Sequence, residues 1–246
     1  MLGLQGIEIG MLIIAAVIVG FSKAGIQGAS IPAVALMAII FGGKQSVGIM
    51  LPMLLVGDLV AIKKYGKQAN TKDVLRLLPP TILGVIAGAV LGNQMNDSQF
   101  KFLMGIILMV CLILLVFRSR SKEANTLSEN TSLRWFVGMI SGFSSMVGNA
   151  AGPIFSVYIL AQNLQKQTMI GTAAWFFFIM NMMKVPFHIF LWKTITFETV
   201  KYIVFALPFI GLGAVIGIWV VRHISEHWYR RMIILTTAIA SIRLLL

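Results

Sequence analysis

The chain has 246 residues, of which 58% are hydrophobic and 11% charged, with mean hydropathy +0.91 and formal net charge +12. A soluble domain carries roughly 25% charged residues, so this chain cannot cover its own surface with polar groups, and its solvent is a lipid bilayer. That excludes a soluble enzyme, a disordered tail and a disulfide-rich secreted module. The positive charge points to basic cytoplasmic loops of a membrane protein and not to a nucleic-acid partner.

The first uncharged run, residues 9–22, follows Glu8 and no basic stretch, and no small-residue cleavage site stands out after it. It is therefore expected to be a membrane segment and not a cleaved signal peptide. Further uncharged runs cover 24–43, 45–57, 77–96, 102–117, 135–165, 167–183, 202–221 and 232–242. The single cysteine, Cys111, lies inside one of them, so no internal disulfide exists. Two regions are too long for one crossing, which takes about 20 apolar residues. Residues 7–42 carry Glu8 at their start and one further charge, Lys23; residues 135–165 carry none. Each has a polar, glycine-rich interruption, Ser22-Lys23-Ala24-Gly25-Ile26-Gln27-Gly28 and Ser144-Ser145-Met146-Val147-Gly148-Asn149. Each region reads as two helices meeting at a break, either re-entrant or fully spanning.

The chain is also a duplication. Gly20-Phe21-Ser22 through Pro32 aligns with Gly142-Phe143-Ser144 through Pro153 with one residue of gap. Lys44-Gln45-Ser46 matches Lys166-Gln167-Thr168 at an offset of 122, and Asp58 falls opposite Asn181 at 123. Pro79, Gly84, Gly88 and Asp97 fall opposite Pro208, Gly213, Gly217 and Glu226 at 129. The expected organisation is a first transmembrane repeat at 1–117, a connecting loop at 118–134 and a second repeat at 135–246. The runs Gly84/Gly88/Gly92 and Gly213/Gly217 have the small-xxx-small spacing of close helix contacts.

Charge sets the orientation. Loop 63–76 carries five basic residues, the seam 118–134 carries Arg118, Arg120, Lys122 and Arg134, and loop 222–231 carries Arg222, Arg230 and Arg231. These three are expected to be cytoplasmic, whereas 93–101, with only Lys101, is expected to be external. The equivalents of a basic loop and a poor loop are a poor one, 193–201, and a basic one, 222–231. The halves therefore lie in opposite orientations, the inverted-repeat pattern of secondary transporters. The expected architecture is an all-α polytopic membrane protein. Each repeat has a broken or re-entrant pair plus three transmembrane helices, about 8 to 10 membrane segments in all, with both termini external.

Inverted repeats place a site at the midplane, where discontinuous helices meet, and irregular backbone at that depth must line a cavity or be buried in protein. A helix starting at Gly28 or Gly148 would aim free N–H groups and a positive dipole end at the break, a setting that favours an anion. Ser22, Ser30, Ser144 and Ser145 add hydroxyls, and Gln27 and Asn149 add amides. The opposing reading is that Gly25, Gly28 and Gly148 only let helices approach closely. Lys23 is a cation at membrane depth that needs a partner or an anionic ligand, or else snorkels to a surface. Lys184 either serves the same anion or pairs with Asp58, and Asn181 stands at the repeat-equivalent position of that acid. Asp58 is the coupling candidate, able to carry a proton; it is alternatively a salt-bridge partner or a surface residue beside Lys63 and Lys64. His188 is expected at the interface, and the tryptophans at span ends as an aromatic belt. Lys23→Met and Asn149→Ala are expected to weaken anion binding without loss of membrane expression. No metal motif, phosphate loop or nucleophile elbow occurs, so no cofactor, metal or enzymatic activity is expected.

The Gly-Phe-Ser break followed by a proline, at Gly20–Pro32 and again at Gly142–Pro153, resembles the TauE/SafE family, also called the toluene sulfonate uptake permease family. The resemblance covers the whole chain, including the basic loop after the second segment and the paired Gly-x-x-x-Gly helices. It implies a bacterial inner-membrane carrier of sulfur-containing anions such as sulfite, sulfoacetate or other organosulfonates. The second copy departs from the first: Ser145 stands where the first has Lys23, and its spacing is one residue shorter. A strictly symmetric substrate cage is thereby put in doubt. The expected function is secondary transport by alternating access, with H⁺ or Na⁺ as the driving ion. An anion channel and a non-transporting membrane subunit are the alternatives. Partners are a small anion and the lipid bilayer, with a homodimer expected from exposed glycine faces.

Overall fold

A computed structural model describes residues 3–24, 29–118, 131–162 and 164–223. Among these every secondary-structure element is a helix, joined by short connections. Helix α1 (Gly6–Lys23) opens with the Gln5 backbone N–H donating to Glu8 Oε2 at 2.8 Å, which satisfies one orphan donor. Helix α2 (Ile31–Phe41) has Pro32 in its first turn, where no N–H is required, and stops at Gly42 in the left-handed region at φ 82°. Then come α3 (Gly43–Tyr65), a 3-10 turn (Gly66–Gln68), α4 (Thr71–Gln94) capped by Asn70, and α5 (Asp97–Arg118). The second half has α6 (Thr131–Gly148), α7 (Ala151–Ala161), α8 (Lys166–Pro186) running into a π-turn (Phe187–Leu191), and α9 (Phe197–His223).

Both long regions are thus broken as their polar interruptions predict, into α1/α2 and α6/α7. Among the described residues, five helical stretches are long and apolar enough to cross a membrane: Gly6–Lys23, Gly43–Gln68, Thr71–Gln94, Gln167–Leu191 and Phe197–Val220. Helix α2, with 11 residues, is too short to span. Large apolar side chains such as Leu83, Val90, Phe102, Val204 and Val215 face outward from α4, α5 and α9, as lipid requires. Most of the seam 118–134 and of loop 222–231 lies outside the described residues.

The two halves interlock. Helix α1 packs along α9, α4 along α6, and α3 crosses α8 at the centre. Glycines permit backbone contact at the first two crossings. A Cβ on Gly20 would strike the Ile210 carbonyl, and one on Gly142 would strike that of Thr81. Gly213 lies likewise on Val17, and Gly84 on Met139. These contacts repeat at the offsets 122 and 129 read from the sequence, so each crossing has an equivalent in the other half. The glycine faces from which the sequence predicts a homodimer are occupied within the chain.

Candidate functional site

Four elements converge where α3 crosses α8. Asp58 of α3 is fully buried, and its Oδ1 lies 2.7 Å from Lys23 Nζ at the end of α1. Its Oδ2 accepts a 2.8 Å hydrogen bond from Asn181 Nδ2 of α8. Lys184, one turn further along α8, is also fully buried. Its Nζ donates to Asn149 Oδ1 at 2.5 Å, Ser145 Oγ at 3.0 Å and Asn181 Oδ1 at 3.3 Å. Those three acceptors use all three ammonium donors, and all are neutral. Lys23 is held from the other side by the Phe177 ring, 4.8 Å from Nζ to the centroid, a cation–π contact. Its stem lies on Gly57, where a Cβ would clash with the lysine Cγ.

The cluster borders a small cavity with an open mouth. Ser22, Lys23 and Ser30 line it from the first break, and Ser145, Asn149 and Gly152 from the second. Asp58 and Asn181 form part of its wall, while Lys184 sits behind Asn149 and Asn181. The cavity runs along Ala61 and along Ile170, Ala173 and Ala174, toward the end of the bundle where loop 66–70 lies. The opposite end is tied shut. Asn149 Nδ2 donates to the Val47 carbonyl at 3.2 Å, and Gln45 Nε2 to that of Thr194 at 3.2 Å. His188 Nδ1 is 2.7 Å from Thr194 Oγ1, and Trp192 Nε1 donates to Ala89 O at 3.0 Å.

A sequence profile of the family described as Sulfite exporter TauE/SafE matches residues 12–244. The chain belongs to the TauE/SafE family. No curated protein and no solved structure matches it. Members of this family are membrane transporters of the sulfite and sulfonate exporter type, and together with the apolar helices this makes the chain a multi-pass membrane protein.

Within this TauE/SafE chain the residues expected at the breaks divide into three groups. Ser22, Lys23, Ser30, Asp58, Ser145, Asn149 and Asn181 meet at the cavity wall, with Lys184 behind it. Ser144 is buried away from the wall, its carbonyl accepting from the Ala150 N–H. Gly25, Gln27 and Gly28 lie outside the described residues. Three expectations are corrected, those for Gly148, His188 and Trp192. Gly148 ends α6 and does not start a helix; α7 starts at Ala151, after Asn149 has turned the chain at φ 50°, a conformation that Asn tolerates. Of the readings open for Lys23, the structure shows the partner and not the snorkel: Asp58 holds it, so Lys23→Met would strand a buried carboxylate. His188 is not interfacial but fully buried beside Trp192, and Trp192 is itself an internal tie and not a belt residue. Phe177 escaped the sequence reading, because an aromatic in Phe176-Phe177-Phe178 looks like core packing; only the fold sets it over Lys23.

Proposed function

We propose that the chain is a secondary transporter of small sulfur-containing anions, with two inverted repeats at 1–117 and 135–246 that exchange the cavity between the two membrane faces. The observation that carries this reading is the convergence of both broken helix pairs on one cavity lined by Lys23 and a single carboxylate, Asp58, with Lys184 directly behind its wall. An anion leaving water for a low-dielectric cavity loses hydration that must be replaced by donors and positive charge. Lys23, Lys184, the hydroxyls of Ser30 and Ser145, and the α7 N-terminus, with a partial charge of roughly +0.5, provide that replacement. The cavity's course toward loop 66–70, and the ties on the opposite side, fit an inward-facing state if the basic loop 63–76 is cytoplasmic. Asp58 serves as the coupling group, a carboxylate at membrane depth able to carry a proton.

The test is binding and exchange. Purified protein in detergent is expected to be stabilised by methanesulfonate and sulfite over carboxylates, and in liposomes to exchange labelled anion with saturation. Asn149→Ala, which removes the principal acceptor of Lys184, is expected to weaken binding by about two- to hundred-fold, with Lys101→Met as surface control. Wild-type protein that binds none of these anions, or an Asn149→Ala variant that binds as wild type does, would place the site elsewhere. Orientation is tested by external labelling of single cysteines, which should reach position 96 and spare position 67.

A further inference from the structure

We infer that the cavity selects its anion by charge: it accepts a monoanion, a sulfonate R–SO₃⁻ or hydrogensulfite, and rejects doubly charged anions such as sulfate and sulfoacetate. This rests on the transporter reading above and narrows its substrate class. Charge bookkeeping around the cavity gives the rule. The ionised side chains at its wall are Lys23 and Asp58, 2.7 Å apart, and together they are neutral. Behind the wall stands Lys184, whose ammonium touches only the neutral oxygens of Asn149, Ser145 and Asn181. The charged neighbours acting on Asp58 are Lys23 and Lys184, and those acting on Lys184 are Lys23 and Asp58. His188, the next titratable group along α8, is engaged with Thr194. The undescribed break residues 25–28 are Gly, Ile, Gln and Gly and bring no charge. The cluster can therefore carry at most one net positive charge, on a fully buried lysine with no acid of its own, and an anion beside it is what holds that charge in place.

An uncompensated charge in a low-dielectric interior is expensive, so the cavity favours the ligand that brings the total to zero. One negative charge does so, with Lys184 acting through the Asn149 and Ser145 that it polarises. Two charges overshoot, because Asp58 already occupies Lys23. Asp58 is thus the specificity-determining residue: it fills the place of the second charge of a dianion. In the first half Ala61 stands at the repeat position of Lys184 and adds no second cation.

Calorimetry on purified protein with methanesulfonate, sulfate and sulfoacetate decides it. Wild type is expected to bind methanesulfonate at least about tenfold more tightly than either dianion. Asp58→Asn, which keeps the shape and raises the cluster by one charge, is expected to shift the sulfate-to-methanesulfonate ratio toward sulfate by about tenfold or more. The double variant Lys23→Met/Asp58→Asn restores the charge and should restore the monoanion preference; it decides the matter should Asp58→Asn alone fail to fold. Sulfate binding as tight as methanesulfonate in wild type, or a ratio that does not change when Asp58 is neutralised, overturns the charge rule and leaves the transporter reading in place. Wild-type protein that binds none of the three overturns both.

Discussion

The two halves of the cluster occupy equivalent positions and are built from different chemistry. In the first half Lys23 on the broken helix meets Asp58 on the long helix, an ion pair beside the cavity. In the second, Ser145 and Asn181 hold the same two positions as a neutral pair, and Lys184 bridges them from behind. The position of Lys184 is Ala61 in the first half, where the small side chain leaves cavity space. At these sequence-matched positions one half forms a charge lock and the other a polar wall. Asn181 joins the two, its amide donating one hydrogen bond to Asp58 while its oxygen accepts from Lys184.

The largest effect comes from breaking the lock on one side only. Asp58→Ala leaves Lys23 with no counter-ion beside a second buried lysine. Removing one member of a buried pair costs about 3–5 kcal/mol, so a large fall in melting temperature in detergent is expected. Lys23→Met is expected to behave similarly, and the combined Lys23→Met/Asp58→Asn variant to recover most of the loss. If the double variant is no more stable than either single one, packing and not charge holds the first half.

Asn181→Ala is next, because it touches both halves at once. It removes a donor from Asp58 and an acceptor from Lys184, and each orphaned buried group costs about 1–3 kcal/mol. The expected melting shift exceeds that of Ser145→Ala, which removes one neutral acceptor 3.0 Å from Lys184 and should cost about 0.5–1.5 kcal/mol. Equal shifts for the two variants would mean that Asn181 does not join the halves.

Much of this frame is legible in the sequence, and the reason is the repeat. Uncharged runs locate the helices, polar glycine-rich interruptions locate the breaks, and the offset of 123 places Asp58 opposite Asn181, where the structure finds them bonded. What the sequence hides are contacts that depend on which face of a helix turns inward. In a chain that is apolar on all sides, lipid-facing and buried faces carry the same residue types, so periodicity gives no direction. Hence Phe177 reads as core, His188 as interfacial, and the partner of Lys184 stays open between Asp58 and an anion. The start of α7 also escapes, because Gly148 and Asn149 are both able to take a left-handed turn and only the fold shows that Asn149 does so.

The smallest effect separates the serines of the two breaks. Ser22 and Ser145 both line the cavity, and their types alone make them equivalent donors. Their partners differ. The Ser22 hydroxyl donates at 3.0 Å to the Val19 carbonyl of its own helix, a local bond that returns little to stability. The Ser145 hydroxyl accepts from Lys184, so its own hydrogen remains to be directed and the lysine polarises it. Ser22→Ala is therefore expected to change stability by no more than about 0.5 kcal/mol and to leave methanesulfonate affinity within about twofold of wild type. Ser145→Ala should weaken that affinity by more, about two- to tenfold. Calorimetry on the two variants in parallel makes the comparison. A loss at Ser22 equal to that at Ser145 would show that the first break also donates to the anion, and that the two halves share the ligand more evenly than their charges indicate.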